Sequence, residues 1–216
     1  MKVVNLGAQN SLFNEFVREI RDVNIQGDRM RFRRNLERMG EVFAYELSKQ
    51  LEYEEIEVTT PLGVAKMNVL KEQPVLATIL RAGLPLHQGL LNYFDKADNT
   101  FVSAYRKHEK DGTFEIELEY LASPSLEGRT VIISDPMLAT GSSMVVTYKA
   151  LLHRGTPKQI FVVAALASVQ GLEYAKRNLP ENTKFYVGAI DDELTAQAYI
   201  VPGLGDAGDL AFGSKE

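Results

Sequence analysis

The chain has 216 residues, of which 45% are hydrophobic and 25% are charged. These are ordinary values for a globular protein of one domain, and they exclude a disordered or fibrous chain. The net charge is −5, from 24 basic and 29 acidic residues. This charge disfavours a general nucleic-acid binder, because such proteins rely on many phosphate contacts. There are no cysteines, so disulfides and thiolate metal sites are excluded.

No segment of the sequence is typical of a membrane or exported protein. The longest apolar run, 160–169, is about half as long as the roughly 20 residues that span a bilayer. The first ten residues lack the continuous apolar stretch of a signal peptide. We therefore expect a cytoplasmic protein that binds no membrane.

The N-terminal third is predicted to form helices and then a β-hairpin. Apolar residues recur at helical spacing in 12–20 and in 32–47, so the first fifty residues are expected to be helical. Residues 55–70 carry β-branched residues on both sides of a Pro-Leu-Gly turn, which predicts the hairpin. We interpret the basic run on the second helix as a solvated or subunit-facing surface rather than an RNA contact. That run consists of Arg29, Arg31, Arg33, Arg34 and Arg38.

From residue 74 onward, short apolar runs alternate with helical segments. Continuous apolar strands joined by helices are typical of a parallel sheet covered on both faces, so we expect an α/β fold with a mostly parallel twisted sheet. The predicted strands are 74–80, 100–104, 130–134, 159–167 and 184–190. The clearest predicted helices are 84–94, 142–153 and 169–178.

A second hairpin is predicted between the second and third strands of this core. An Asp111-Gly112 pair separates an arm over 103–110 from an arm over 113–120. Asp-Gly between two such arms is a strong hairpin signal, and apolar residues alternate with glutamates along the second arm. We expect this hairpin to be an antiparallel flap that projects from the core.

The segment after strand 130–134 has the composition of a phosphate-binding loop. Asp135 follows the buried strand, and Thr140, Gly141, Ser142 and Ser143 precede a predicted helix. The N-terminus of a helix suits a phosphate, Gly141 permits close backbone approach, and hydroxyl groups can donate. A carboxylate only accepts, so Asp135 suits sugar hydroxyls. Taken singly, these features could be an ordinary N-cap and an ordinary turn, but their combination predicts a phosphate-binding loop. The loop does not match the GxxxxGK[ST] P-loop.

Three segments together resemble the type I phosphoribosyltransferases and, among them, the uracil phosphoribosyltransferases. The segment 135–141 (DPMLATG) is similar to the loop that binds 5-phosphoribosyl 1-diphosphate (PRPP). The segment 79–83 (ILRAG) is similar to a loop that contacts the diphosphate, and the glycine-rich segment 199–213 is similar to the uracil-binding loop. The motifs follow the family's order, and the resemblance spans essentially the whole chain.

The resemblance implies the fold and the reaction. The fold would be a type I phosphoribosyltransferase domain over 1–216, with N-terminal helices and hairpin over 1–73. An α/β core over 74–195 would carry the flap 103–120, and a uracil-binding segment would cover 196–216. The enzyme would be a pentosyltransferase of pyrimidine salvage that converts uracil and PRPP to UMP and diphosphate.

The resemblance also implies which residues bind PRPP. The 5-phosphate would rest on 137–143, with the ribose hydroxyls on Asp135, while Arg81 and Arg106 would stabilise the leaving diphosphate. Mg²⁺ would bind mainly through PRPP oxygens, without a dedicated set of protein ligands. The complete implied PRPP set is Arg81, Arg106, Asp135, Pro136, Met137, Leu138, Ala139, Thr140, Gly141, Ser142, Ser143 and Asp206.

The implied uracil site uses backbone groups. Those of Ile200 and of Gly205, Asp206 and Ala207 would pair with the edge of the base. Asp206 would also lie toward PRPP and its Mg²⁺, and it joins Arg81 and Arg106 as a candidate catalytic residue. The resemblance further implies a homodimer or homotetramer and, in some members, activation by GTP.

The sequence departs from the family at several points, and it leaves two other functions open. Ser142 replaces a glycine that relatives commonly carry, and Ser134 stands where the wider group has a second acid. Lys107 and His108 follow the second arginine and receive no role. The alternatives are transfer to a purine or orotate, and a PRPP- or nucleotide-sensing regulator that binds RNA. The glycine-rich C-terminal segment argues against the former, and the net charge against the latter.

Overall fold

The structure is a computed structural model that describes residues 1–108 and 114–214, with side chains described outside 104–119. The Asp111-Gly112 turn predicted for the flap lies outside the described residues. In chain order the strands are β1 (Lys2–Asn5), β2 (Tyr53–Thr60), β3 (Gly63–Leu70), β4 (Val75–Leu80), β5 (Asp98–His108), β6 (Phe114–Ala122), β7 (Thr130–Ser134), β8 (Met137–Leu138), β9 (Gln159–Ser168), β10 (Lys184–Asp191), β11 (Glu193–Leu194) and β12 (Ile200–Val201). The α-helices are α1 (Phe13–Arg21), α2 (Arg29–Ser48), α3 (Leu84–Tyr93), α4 (Ser142–Leu151), α5 (Val169–Asn178) and α6 (Ala207–Phe212).

Eight strands form the central sheet in the order β1-β10-β9-β7-β4-β5-β6, with β8 added along β9. Every pairing in this sheet is parallel except that of β5 with β6. The mostly parallel α/β fold expected from the sequence is therefore confirmed, and β5 and β6 form the two arms of the predicted flap. Among the described helices, none is long and apolar enough to cross a bilayer.

Helices cover both faces of the sheet, which explains why its strands are continuously apolar. Ile132 of β7 packs in a core with α1, α2 and α3, whereas its neighbours Val131 and Ile133 pack in a second core with α4 and α5. Strand β9 is buried from Ile160 to Ser168, because it lies between β7 and β10 and has a core on each face. The two cores keep the carboxyl ends of the central parallel strands at one edge.

Two elements differ from the sequence-based expectation. The first fifty residues include β1, which pairs in parallel with β10 from Lys2↔Lys184 to Asn5↔Val187. A four-residue strand formed by pairing with a distant segment has almost no local sequence signal. The glycine-rich C-terminal segment contains α6, where the carboxylate of Asp206 accepts a hydrogen bond from the backbone N–H of Asp209 at 3.0 Å.

Arginines of the basic run on α2 make contacts within the chain and stay partly solvated, since the side chains of Arg31 and Arg34 are each 43% exposed. Arg31 forms a bidentate ion pair with Glu19 of α1, with N–O distances of 2.7 and 2.8 Å. Hydrogen bonds from Arg31 and Asn35 lower the pKa of Glu19 to about 2. Arg33 donates to the carbonyl oxygen of Ala211 at 2.7 Å, so this helix holds the C-terminal segment.

Helices α2 and α3 approach each other closely at a pair of glycines. A Cβ on Gly89 would lie 2.8 Å from the Cα of Gly40 and would also collide with the carbonyl oxygen of Glu37. These neighbours are backbone atoms of a buried helix, and they can move only if the two helices separate. The crossing sets the position of α3, whose first residues follow the loop at the end of β4.

We expect Gly89→Ala to destabilise the protein by about 1–3 kcal/mol, because the added methyl group overpacks the crossing. Urea unfolding followed by circular dichroism measures this difference. Gly27→Ala is the control: no atom lies within 4 Å of its Cβ position, and its stability should change by less than about 0.5 kcal/mol. A Gly89→Ala variant as stable as the control would contradict the close crossing.

Candidate functional site

Two of the sequence-predicted site segments follow neighbouring strands, β4 and β7, at the carboxyl edge of the central sheet. Parallel pairing places Thr78 beside Ser134 and Ser134 beside Val163, so the loops that follow β4 and β7 emerge next to each other. In open α/β sheets this edge is where ligands bind. The loop after β7 was predicted to hold a phosphate.

The first half of this loop continues the sheet rather than leaving it. The N–H of Asp135 donates to the carbonyl oxygen of Val163 at 3.1 Å, and Leu166 donates to the carbonyl oxygen of Pro136 at 2.9 Å. Met137 and Leu138 form β8, which pairs with β9. The position of Asp135 is thus fixed by β9, and its carboxylate accepts a hydrogen bond from the N–H of Met137 at 3.4 Å.

The second half of the loop opens helix α4. Gly141 has a φ of 78°, a left-handed conformation that favours glycine. Thr140 accepts a hydrogen bond from the N–H of Ser142 at 3.3 Å and donates to the Ser142 hydroxyl at 3.1 Å. The first N–H groups of an α-helix have no acceptor within the helix. Together with the hydroxyls of Ser142 and Ser143, they can hold a phosphate.

The junction between β9 and α5 supports this loop from behind. The Ser168 hydroxyl donates to the carbonyl oxygen of Ala139 at 2.5 Å and accepts from the N–H of Gly171 at 2.8 Å. A Cβ on Gly171 would lie 2.6 Å from the carbonyl oxygen of Leu138. A Cβ on Gly141 would lie 2.7 Å from the carbonyl oxygen of Gly171. The sequence analysis did not predict that Ser168 and Gly171 support the loop, because in the sequence they indicate only the start of an ordinary helix.

Ser134, where the wider group carries a second acid, is a core residue in this chain. It is fully buried, its hydroxyl donates to the carbonyl oxygen of Ala77 at 3.2 Å, and its own carbonyl accepts from Thr78 at 3.4 Å. A carboxylate in this place would be buried and, having no proton to donate, would lose the bond to the carbonyl oxygen of Ala77. Among the described side chains of this loop, that of Asp135 is the acidic one, and its role toward sugar hydroxyls stays a prediction.

Arg81 connects the end of β4 with the C-terminal segment. Its guanidinium donates to the carbonyl oxygen of Gly213 at 3.3 Å and to the carboxylate of Asp209 at 3.5 Å. The side chain is 40% exposed, so it can also reach a bound ligand. The other expected diphosphate ligand, Arg106, lies on β5 opposite Ile116, and its side chain is outside the described residues.

The C-terminal segment lies next to this arginine. The Cβ position of Gly208 is 3.1 Å from a carboxylate oxygen of Asp206 and 3.8 Å from the guanidinium of Arg81. Asp206 is the N-cap of α6, so its carboxylate already accepts one backbone N–H. Gly205 is exposed, with a φ of 94° and no atom near its Cβ position, so its backbone is accessible.

Ile200 and Ala207 are two further residues of the C-terminal segment that were expected to bind uracil. Ile200 lies in β12, which pairs with β11 to form a small antiparallel ribbon. The C-terminal segment therefore follows this ribbon and not a strand of the central sheet. Both residues have buried side chains, which leaves only backbone groups for recognition. A cavity of about 480 Å³ borders Gly205 and Asp206 on the side of Gln26.

The ribbon and the segment are tied to the sheet by Asp191, the last residue of β10. Its carboxylate accepts two hydrogen bonds from the guanidinium of Arg21, each of 2.8 Å, and one from the N–H of Gly203 at 3.0 Å. Asp191 could have been found as an acid at the end of a predicted strand, but Arg21 has no comparable signal. The described residues contain no group of three or more His, Cys, Asp or Glu that could hold a metal.

Comparisons with known proteins find similar proteins over most of the chain. The family model described as "Uracil phosphoribosyltransferase" matches residues 8–214. The chain is 56% identical to the uracil phosphoribosyltransferase of Porphyromonas gingivalis, covering 100% of both chains, and 40% identical to that of Thermococcus gammatolerans, covering 93% and 88%. The solved structure of the AQ2163 protein from Aquifex aeolicus matches with a TM-score of 0.87 at 32% identity, covering 98% of both chains. A hypoxanthine phosphoribosyltransferase of Staphylococcus aureus (TM-score 0.50, 17% identity, 74% of both chains) shares the fold.

We expect Gly171→Ala to weaken the binding of ribose 5-phosphate by about tenfold, because the methyl group would push the loop at Leu138 and Ala139 out of place. Isothermal titration calorimetry measures the affinity. Glu173→Ala changes an exposed residue of the same helix and serves as the control. Equal affinities for the two variants would show that the contact behind the loop does not position it.

Proposed function

The chain belongs to the uracil phosphoribosyltransferase family, and we propose that it transfers the phosphoribosyl group of PRPP to uracil, giving UMP and diphosphate. The observation that carries this proposal is the hydrogen-bonded contact of Arg81 with the C-terminal segment. Arg81 follows β4, next to the strand that leads into the phosphate loop (residues 135–143), and it donates to Gly213 of the C-terminal segment. This contact supports a single site made from the expected diphosphate ligand, the phosphate loop and the C-terminal segment.

The phosphate loop supports binding of the 5-phosphate end of PRPP. Its hydroxyls and the N-terminus of α4 supply donors, while β9 and α5 hold the backbone in place before a ligand arrives. Such preorganisation lowers the entropic cost of placing the anomeric carbon for attack. Asp135, held at the end of β7, is proposed to accept hydrogen bonds from the ribose hydroxyls.

The reaction is a displacement at the anomeric carbon. The bond from this carbon to the diphosphate oxygen breaks with its electron pair, N1 of uracil forms the new bond, and the N1 proton is lost. Arg81 and Arg106 are proposed to stabilise the negative charge that develops on the diphosphate. His87 takes no part, because it is buried and packs against the ring of Phe101, with centroids 5.3 Å apart.

Uracil is proposed to be recognised by backbone groups of Ile200, Gly205, Asp206 and Ala207. Backbone donors and acceptors along the O4 and N3 edge would distinguish uracil from cytosine, whose donor and acceptor are exchanged at these positions. The exposed backbone of Gly205 supports this role, since a side chain there would stand between the base and the peptide groups.

The donor set fits a magnesium ion that arrives with PRPP. Asp135 and Asp206 are separate carboxylates that each already accept a backbone N–H, whereas Mg²⁺ commonly keeps several waters and binds substrate phosphates. When bound, the ion neutralises charge on the diphosphate. Asp206 is proposed to orient water or the ion at this end of the site. Cytoplasmic location and activation by GTP stay predictions.

We expect the purified protein to form UMP from uracil and PRPP in the presence of Mg²⁺, and not to use hypoxanthine or orotate. Asp135→Asn should lower kcat/KM for PRPP by about 10- to 100-fold, because it weakens charge-assisted hydrogen bonds to the ribose. Product formation is measured by chromatography, with Asp95→Asn as the exposed control. Comparable turnover with another base, or full activity of Asp135→Asn, would contradict the proposal.

The hairpin of β2 and β3 supports the proposed homo-oligomer. Among the described strands, β2 and β3 pair only with each other, and their cross-strand pairs Ile56–Met67 and Val58–Ala65 lie on one face. Leu62 at the tip is fully exposed, as is much of Ile56 and Met67. An isolated two-stranded hairpin is marginally stable in water, and an exposed apolar face is typical of an interface. We propose that a second copy of the chain covers this face.

Light scattering after gel filtration tests this arrangement. The wild type is expected at twice or four times the chain mass of 24.1 kDa. A double variant with Ile56→Glu and Met67→Glu should shift toward one chain, because it places charges on the apolar face. Replacing Glu57 and Lys66, the pair on the opposite face, with serine is the control. An unchanged mass for the glutamate variant would remove the hairpin from the interface.

A further inference from the structure

The backbone of Gly203 is held on both sides by one ion pair. Its N–H donates to the carboxylate of Asp191 at 3.0 Å, and its carbonyl oxygen accepts from the guanidinium of Arg21 at 2.9 Å. Arg21 and Asp191 are joined to each other by two hydrogen bonds of 2.8 Å. The two charged groups of this cluster therefore bind each other and the backbone N–H and carbonyl of one residue of the C-terminal segment.

The geometry of Gly203 shows why this residue controls its neighbours. Its φ of 53° is left-handed, and a Cβ there would collide with the carbonyl oxygen of Ile200. The turn from Ile200 to Gly203 is consequently tight, and fixing the backbone of Gly203 also fixes Ile200. Two residues further on is Gly205, whose backbone is exposed. Along the chain, the residue that the ion pair holds thus stands between the two groups of backbone atoms proposed to read the base.

The place of Asp191 in the sheet supports a role in positioning. Asp191 is in register with Ser168 on the neighbouring strand β9. Ser168 holds the phosphate loop through Ala139, and Asp191 holds the C-terminal segment through Gly203. Two adjacent strand ends therefore anchor the two proposed binding loops, and the register of β9 with β10 sets the spacing between them.

We propose that Arg21, together with Asp191, is a positioning residue for recognition of the pyrimidine, an inference that rests on the proposed function. The side chain of Asp191 is 8% exposed and that of Arg21 is 22% exposed, so water competes little for either. A guanidinium satisfies two carboxylate oxygens and a carbonyl at once because its donors are fixed in a planar fork. Arg21 is the last residue of α1, so the N-terminal helix contributes directly to the geometry of the base site.

The test compares Arg21→Met with Arg31→Met. Arg31 of α2 also forms a bidentate ion pair with a carboxylate of α1, that of Glu19. Among the described residues, it makes no hydrogen bond to the C-terminal segment. Both variants lose a similar ion pair and are expected to lower Tm. Only Arg21→Met should raise the KM for uracil, by roughly tenfold, with the KM for PRPP changed by less than about twofold.

Two further variants keep the test informative if Arg21→Met folds poorly. Arg21→Lys retains the charge but not the fork, so the KM for uracil should fall between those of the wild type and Arg21→Met. Asp191→Asn is nearly isosteric and should raise the same KM. The double variant Arg21→Lys with Asp191→Asn should have a KM for uracil only slightly higher than that of the more affected single variant, because both changes break the same ion pair.

Hydrogen exchange of the peptide that contains 199–206 provides a readout that does not need activity. Faster exchange there in Arg21→Lys, but not in Arg31→Met, supports the proposal. The inference is overturned if the KM values for uracil and PRPP rise together, or if exchange in 199–206 is the same in both variants. A wild type that makes no UMP would instead remove the proposed function, and the exchange comparison would still decide whether Arg21 holds the segment.

Discussion

The arrangement of the site depends on the parallel pairing of β9 with its neighbours. On one side β9 pairs first with β7 and then with β8, so the loop after β7 is held in the sheet as far as Leu138. On the other side it pairs with β10 up to Asp191. Because β9 is buried on both faces, a slip of its register would turn every side chain to the opposite core. The two cores therefore fix, at long range, where the phosphate loop and the C-terminal segment stand relative to each other.

The three expected binding segments are held in different ways. The phosphate loop is supported by backbone pairing and by the Ser168 hydroxyl, whereas the C-terminal segment is supported by an ion pair. Arg81 instead makes two longer contacts, of 3.3 and 3.5 Å, with groups of the C-terminal segment. A diphosphate would offer this guanidinium a more strongly charged partner. The proposed leaving-group end is thus the part that can rearrange most easily when substrate binds.

Much of the fold could be predicted because local pattern and tertiary environment agree. The apolar runs at Val75–Leu80, Thr130–Ser134 and Gln159–Ser168 are strands with a core on each face, and their composition reflects that burial. The loop after β7 could be found because Asp135 and Gly141 stand at the end of a strand and at the start of a helix. The C-terminal segment was recognised only by resemblance, since its glycines would otherwise indicate a flexible tail.

What the sequence could not provide are the contacts between distant segments. Arg21 is one basic residue in a helix with three other charged residues, and nothing in its neighbourhood points to Gly203, 182 residues away. The same holds for Gly171, whose close approach to Leu138 exists only after α5 has packed behind the loop. Strand β1 likewise needs β10 beside it. Each of these features results from the three-dimensional fold, so no local pattern could predict it.

The sequence separation of these contacts has a kinetic consequence. The hydrogen bond that supports the phosphate loop joins residues 29 apart, whereas those between Arg21 and its partners close loops of 170 and 182 residues. Closing a longer loop costs more chain entropy, and contacts of long range form late. During synthesis, the first helix emerges from the ribosome long before its carboxylate partner exists. The half of the site proposed to hold the sugar phosphate can therefore assemble early, while the half proposed to distinguish one base from another must wait until almost all of the polypeptide has been made.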